Sequence, residues 1–167
     1  MTEVKYLALG YRVEPVQSVA ETWIHDPQND TVAFTTTDPR FARHAHVINK
    51  DGRAFQFVPV DHNIKVLRPD GTEERHCDGM MLVEDNSYLA FVEMKDYITG
   101  GWFPEGKEQL EKTITSFNEN YDYLRFRRRH AYVCNSHHGF HMSMKDDISK
   151  FHDTHHFILH PMYDIVI

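Results

Sequence analysis

Residues 76–95 read HCDGMMLVEDNSYLAFVEMK. Two apolar runs, 76–83 and 88–95, are typical of β-strands, and residues 84–87 between them have the composition of a turn. A hairpin brings its two ends together, so Asp78 near the start of the first strand is expected beside Glu93 near the end of the second. Lys95 follows in the same run. Two carboxylates and an ammonium are therefore predicted to converge where apolar strands do not normally carry charge.

The chain has 167 residues, of which 41% are hydrophobic, and this suits one compact domain with a sizeable core. Its formal net charge is −7 and its pI is about 6.0, so no overall basic field indicates a nucleic-acid partner. Such a partner would need a local basic surface, which Arg125, Arg127 and Arg128 could provide together with Lys107. The same run is also consistent with a solvated connection between a helix and a strand.

The two cysteines, Cys77 and Cys134, lie in strand-like runs and are interpreted as small core residues, not as a disulfide. Residues 1–14 carry acids and a lysine too early for a secretory signal. No apolar stretch approaches the roughly 20 residues that span a bilayer. The sequence thus predicts a cytoplasmic protein without a membrane segment.

Hydrophobic periodicity and turn residues predict the remaining elements. In the first half these are a short strand at 4–9, a helix at 15–23, a β-rich run at 31–37, a hairpin of 46–49 with 53–60 around Asp51-Gly52, and a strand at 64–68. In the second half they are a loop at 96–104, a helix at 105–121 with an apolar stripe, a strand at 129–135, a helix at 143–151, and strands at 156–160 and 163–167. One domain, 1–167, is expected, with an N-terminal extension at 1–52, a core at 53–135 and a C-terminal helix and strand at 136–167.

The motif Asp78, then Glu93-Met94-Lys95, resembles that of the PD-(D/E)xK nuclease superfamily. Asp78 matches the first acid of that pattern and Glu93-Met94-Lys95 its second element. Cys77 stands where the name of the pattern has proline. The resemblance covers about half of the chain, roughly residues 53–135, and does not explain the N-terminal extension. It implies an α/β fold with a restriction-endonuclease-like core, a mixed central sheet in αβββαβ order flanked by helices, here with an extra β-rich N-terminal segment.

The resemblance also implies a chemistry. Mg²⁺, or Mn²⁺ in its place, prefers oxygen ligands and retains waters, so Asp78, Glu93 and the carbonyl of Met94 would bind it. Lys95 would orient the attacking water or stabilise charge on the phosphoryl group. The side chain of Met94 should point away from this site and pack in the core.

Further residues are candidates by position. Gln109 lies on the helix after the motif strand, where branches of the superfamily place a glutamine; Thr113 stands where a tyrosine often follows. Gln109 is therefore expected either to assist the active site or to be a surface glutamine. Glu14 or Glu21 could match the further metal-binding acid of some branches, or be ordinary helix acids. Trp102, beyond Gly100-Gly101, is expected either to stack on bases of the substrate or to pack in the core.

Thirteen histidines offer a competing interpretation. His44 and His46 have the spacing of metal ligands on one side of a strand, and further histidines cluster near 137–141 and 152–160. No metalloprotease or paired-cysteine signature organises them.

The favoured prediction is a Mg²⁺-dependent nuclease acting on nucleic acid, by analogy DNA, with a homodimer or a larger defence or repair complex supplying binding surface. A catalytically inactive binding or assembly subunit of the same fold, and a histidine-ligated metal protein, remain as alternatives.

Overall fold

The computed structural model describes residues 3–83 and 85–167. It is an α/β protein with two mixed sheets and two α-helices. The strands are β1 Glu21–His25, β2 Phe34–Thr36, β3 Ala45–Ile48, β4 Phe55–Pro59, β5 Gly79–Val83, β6 Tyr88–Lys95, β7 Arg128–Asn135, β8 Ile158–Pro161 and β9 Asp164–Val166. The helices are α1 Trp102–Asn120 and α2 Lys145–His155.

The larger sheet has five strands in the order β4-β5-β6-β7-β8. β5 is antiparallel to both β4 and β6, whereas β7 is parallel to both β6 and β8. The parallel pairs are possible because α1 and α2 form the crossovers that precede β7 and β8. The second sheet has the order β2-β1-β3-β9, so the C-terminal strand completes a sheet that the N-terminal segment begins.

The central strands are buried on both faces, which explains their continuous apolar sequence. Met80 and Phe91 point to the face that α1 covers through Leu110, Ile114 and Phe117. Met81 and Ala90 point to the other face, where the four-stranded sheet packs on them. The molecule therefore has three layers, with helices on one side of the five-stranded sheet and the second sheet on the other.

The predicted hairpin is present as β5 and β6, although Glu84 of its turn lies outside the described residues. The strand at 129–135 and the helix at 105–121 are also present, each with slightly different ends. The helix predicted at 143–151 extends to His155. Cys77 and Cys134 are buried free thiols, as predicted.

Several N-terminal predictions are wrong. No helix forms at 15–23: Gln17 bridges to Phe55, and β1 begins at Glu21 because Thr22 and Ile24 alternate into the core. Residues 4–9 form a turn that leads into a 3-10 turn, not a strand. The αβββαβ order therefore lacks its first helix in the described residues, and the two helices cover one face of the sheet instead of flanking it.

The predicted hairpin between 46–49 and 53–60 contains two real strands that do not pair. β3 and β4 belong to different sheets. Asn49 closes the connection by accepting from the Arg53 amide at 3.0 Å and donating to the Arg53 carbonyl at 2.8 Å. The chain thus crosses from one layer to the next. The strand predicted at 64–68 is reduced to one bridge, between Leu67 and Glu73.

Candidate active site at the edge of strands β5 and β6

The hairpin register brings the two motif acids together. Gly79 pairs with Val92, and one further step along the same ladder places Asp78 opposite Glu93. The side chain of Glu93 lies on the face that α1 covers, where its Cγ is 3.4 Å from the Cβ position of Gly106. The carboxylate of Asp78 accepts a hydrogen bond of 2.6 Å from the amide of Met94, which links the two strand ends. The side chain of Met94 packs in the core between the sheets, as predicted.

Both carboxylates resist ionisation in this position. Burial raises the pKa of Glu93 to about 7 against the opposing effect of Lys95, and the charges of Asp61 and Asp26 add to the rise. Asp78 keeps some contact with solvent, yet burial and then the charges of Glu93 and Asp26 hold its pKa well above its usual value. Buried like charges raise each other's pKa in this way, and a cation between them would reverse the effect.

Lys95 is held by three oxygen atoms. Its Nζ lies 2.9 Å from Oε1 of Glu93, 3.1 Å from Oε1 of Glu105 and 2.7 Å from Oε1 of Gln109. The side chain is only 8% exposed. Burial by itself would lower the pKa of Lys95, but Glu93 and Glu105 outweigh it and raise the pKa, so the lysine is a fixed positive charge.

Helix α1 supplies the other wall of the site. Gln109 accepts from Lys95 and donates from Nε2 to the carbonyl of His76 at 3.2 Å, so it joins the lysine to the segment that leads into Asp78. One turn later the hydroxyl of Thr113 accepts from the amide of Cys77 at 2.8 Å. Both residues thus anchor the entry to β5, and Gln109 belongs to the site.

Gly106 lets α1 approach the sheet directly over the acids. A Cβ atom at this position would lie 2.5 Å from Cγ1 of Val133 and 3.4 Å from Cγ of Glu93. We expect Gly106→Ala to destabilise the protein by about 1–3 kcal/mol, because the overlap with a β-branched side chain on β7 exceeds the gain in helix propensity. Urea unfolding measures this cost, with Gly10→Ala, whose new methyl group meets open space, as the matched control. A Gly106→Ala variant as stable as wild type would contradict the close approach.

The residues fit a hard divalent cation better than zinc. Oε2 of Glu93 is buried and has no hydrogen-bond partner in the part of the chain that the structure describes. Within residues 3–83 and 85–167, no three His, Cys, Asp or Glu side chains group closely enough to hold a metal ion. Zinc sites use at least three protein ligands, whereas Mg²⁺ is often held by one or two carboxylates and keeps its waters.

Three further acids lie near this site that were not among the residues predicted from the sequence. Glu105 contacts Lys95, and Asp26 and Asp61 add negative charge at Glu93. Glu105 carried a signal, since it precedes Gln109 by one helical turn and so shares its face. Asp26 follows β1 and Asp61 follows β4, and no local pattern in the sequence links either to β6.

The acids suggested as further metal contacts lie elsewhere. Glu21 pairs with His46 at 2.8 Å, and Glu14 hydrogen-bonds to Thr35. These positions belong to strand β1 and to the extended segment before it, because the expected helix does not form.

The predicted substrate contacts are dispersed. Trp102 is 5% exposed and packs in the core, where it cannot stack on a base. Lys107 pairs with Asp147 at 3.0 Å, and this salt bridge joins α1 to α2. Arg128 pairs with Tyr88 in the β6–β7 ladder, whereas Lys95 pairs with Asn135 at the far end. Arg127 and Arg125 precede Arg128, so all three arginines lie at the opposite end of the sheet from Lys95.

The histidines do not assemble a zinc site in the described residues. His44 accepts from the amide of Asp26 and stacks on His25. His46 lies between Glu21 and Asp164, at 2.8 Å from each. Their rings therefore serve different contacts, although they are two positions apart.

No helix in the described part of the chain is long and apolar enough to cross a membrane. When the chain is compared with known proteins, no family model, curated protein or solved structure matches it.

Proposed function

We propose that this protein is a Mg²⁺- or Mn²⁺-dependent nuclease that hydrolyses phosphodiester bonds, with DNA as the expected substrate. One observation carries the proposal: the buried Glu93 shares one oxygen with Lys95, and its other oxygen has no partner among the described residues, on a hairpin position opposite the carboxylate of Asp78. Ion pairs that only stabilise a fold normally satisfy all of their buried oxygens.

The order of elements supports the PD-(D/E)xK assignment. From β4 onward the chain runs through three antiparallel strands, a helix and a parallel strand; Asp78 directly precedes the second of those strands and Glu93 lies on the third. The superfamily has the same order and acid positions. The helix that precedes the first strand of the superfamily has no counterpart among the residues that the structure describes.

In the proposed mechanism Asp78, Glu93 and the carbonyl of Met94 would hold the cation. When bound, Mg²⁺ supplies Lewis-acid activation of water and neutralises charge on the phosphoryl group. The ammonium of Lys95 orients the attacking water or stabilises the negative charge that develops on phosphorus oxygens. Glu105 and Gln109 keep that ammonium in place, so that it need not reorganise during the reaction.

The net charge of −7 requires a local or shared surface for a polyanionic substrate. A homodimer, or a larger defence or repair complex, would provide it and would place two sites on one duplex.

The test is cleavage of linear, circular, single-stranded and branched DNA with Mg²⁺, with Mn²⁺ and with EDTA. We expect wild type to cut at least one form of DNA when metal is present and none in EDTA. The Glu93→Gln variant should cut at a rate lower by a factor of about 10³ or more. Glu108→Gln is the matched control, because this exposed acid precedes Gln109 on α1 and pairs instead with Lys112. A wild type inert on every substrate, or a Glu93→Gln variant that cuts normally, would overturn the proposal.

A catalytically inactive binding or assembly subunit is the second candidate. The three oxygens around Lys95 favour it, since a fully engaged ammonium is also typical of a structural ion-pair cluster. In that case wild type cuts nothing, and substitution of Glu93 changes stability alone.

A further inference from the structure

A basic pocket opens at the end of the five-stranded sheet opposite the acid–lysine site. It lies where β7 and β8 begin and α2 ends, and it has a volume of about 210 Å³. Arg127, Arg128, Arg129 and three histidines line it, together with Ile158. None of its described lining residues is acidic.

The cationic wall is preorganised. Arg129 donates to the carbonyl of His156 at 3.0 Å and to that of Phe126 at 2.7 Å, which fixes its guanidinium. The same group lies 5.5 Å from the ring of Tyr123, and Tyr123 stacks on His156. Arg128 is held against the ring of Tyr88 at 5.4 Å. Groups fixed in this way lose little conformational entropy when they bind a ligand.

One lining side chain has an unsatisfied ring atom. His130 contacts His160 through Nδ1 at 2.8 Å, but its Nε2 is buried and no group in the described part of the chain hydrogen-bonds to it. Burial, His160 and Arg128 lower the pKa of His130 to about 4. An anion in the pocket would oppose the effects of His160 and Arg128 on this ring.

The chemistry of the lining selects the ligand. Guanidinium groups present forked N–H donors that match the oxygens of a phosphate group. The pocket cannot share a phosphodiester with the acid–lysine site, because Tyr88 and Lys95 are seven residue steps apart along β6, a span of about 23 Å.

We propose that the pocket lined by Arg127, Arg128, Arg129 and His130 is a second site, which binds a phosphate group of a small ligand or of a nucleic-acid end. This inference does not depend on the proposed nuclease activity.

The test is calorimetric titration of the full chain with inorganic phosphate, with adenosine 5′-monophosphate and with adenosine, at constant ionic strength in chloride. Arg127→Gln and Arg128→Gln remove cations from the wall. Arg125→Gln is the matched control, since Arg125 belongs to the same run but does not line the pocket. NMR of the imidazole nitrogens reports on His130 directly, and thermal unfolding shows that each variant is folded.

We expect saturable binding of phosphate and of the nucleotide, weakened at least about tenfold in Arg127→Gln and Arg128→Gln and by less than about twofold in Arg125→Gln. The Nε2 resonance of His130 should shift with the same saturation. Equal affinity for the two ligands identifies the phosphate group alone, whereas tighter nucleotide binding adds a contact with the rest of the ligand. Absence of saturable binding, equal loss in Arg125→Gln, or a fixed His130 resonance would overturn the proposal.

Discussion

Asp78→Asn is expected to abolish metal-dependent cleavage and, without metal, to make the folded protein more stable. The loss of rate should be at least about 10³-fold, or roughly 4 kcal/mol of transition-state stabilisation, because one of two carboxylate ligands is removed. The amide keeps an oxygen that can accept from the Met94 amide. It also ends the repulsion with Glu93, which should add about 1–2 kcal/mol of stability in EDTA at pH 8.

The sign of the pH dependence follows from the raised pKa values of Asp78 and Glu93. The folded protein holds these protons more tightly than the unfolded chain does. The contribution of each acid to the free energy of unfolding therefore falls as pH rises above about 4, and for Glu93 this fall is complete above about pH 7. Buried histidines, among them His130, have lowered pKa values, so their contribution to the free energy of unfolding falls when the pH is lowered into the acidic range. The histidines are the same in Asp78→Asn and wild type, so the difference in unfolding free energy between the two proteins reports the Asp78–Glu93 pair alone. This difference should be larger at pH 8 than at pH 5.

Urea unfolding and Mg²⁺ titration supply the measurement. Mg²⁺ should raise the melting temperature of wild type and of the Glu108→Gln control, but not that of Asp78→Asn. If Asp78→Asn is instead less stable than wild type at both pH values, and Mg²⁺ stabilises neither protein, Asp78 serves only to join the strand ends.

The sequence predicted those elements whose partners are close along the chain. β5 and β6 form from two apolar runs with a turn between them, and α1 carries its apolar stripe at Leu110, Ile114 and Phe117. The convergence of Asp78 and Glu93 follows from that one hairpin, so it could be predicted as well.

Elements with distant partners could not be predicted in the same way. Val16 and Val19 have helical spacing, yet β1 forms nearby because β2 and β3 pair with it. The turn at Gly52 was recognised, but it does not determine which sheet the next strand enters. The helical spacing of Glu105 and Gln109 puts them on one face of α1, but the close approach of that face to Lys95 depends on Gly106 and is not evident from the spacing.

Lys95→Met should lower both cleavage and stability, through separable causes. Methionine preserves the length and apolar contacts of the side chain but leaves Glu93, which is 2% exposed, without its cation. We expect the free energy of unfolding to fall by about 3 kcal/mol and the cleavage rate to fall by a factor of about 10² or more. Mn²⁺ binding should persist, because Lys95 provides no ligand, whereas Asp78→Asn should abolish it.

The double variant Glu93→Gln/Lys95→Met separates the two causes. Because glutamine is neutral, the buried charge disappears, and the double variant should be more stable than the sum of the single changes predicts, by at least about 1.5 kcal/mol. Its cleavage should remain absent, since neither a second carboxylate ligand nor an ammonium is present. A lysine that only neutralises Glu93 would behave differently: Lys95→Met, once folded at low temperature, would then cut DNA at the wild-type rate. Lys95 has a catalytic role if folded Lys95→Met loses cleavage; the double variant, which also lacks a metal ligand, tests only the recovery of stability.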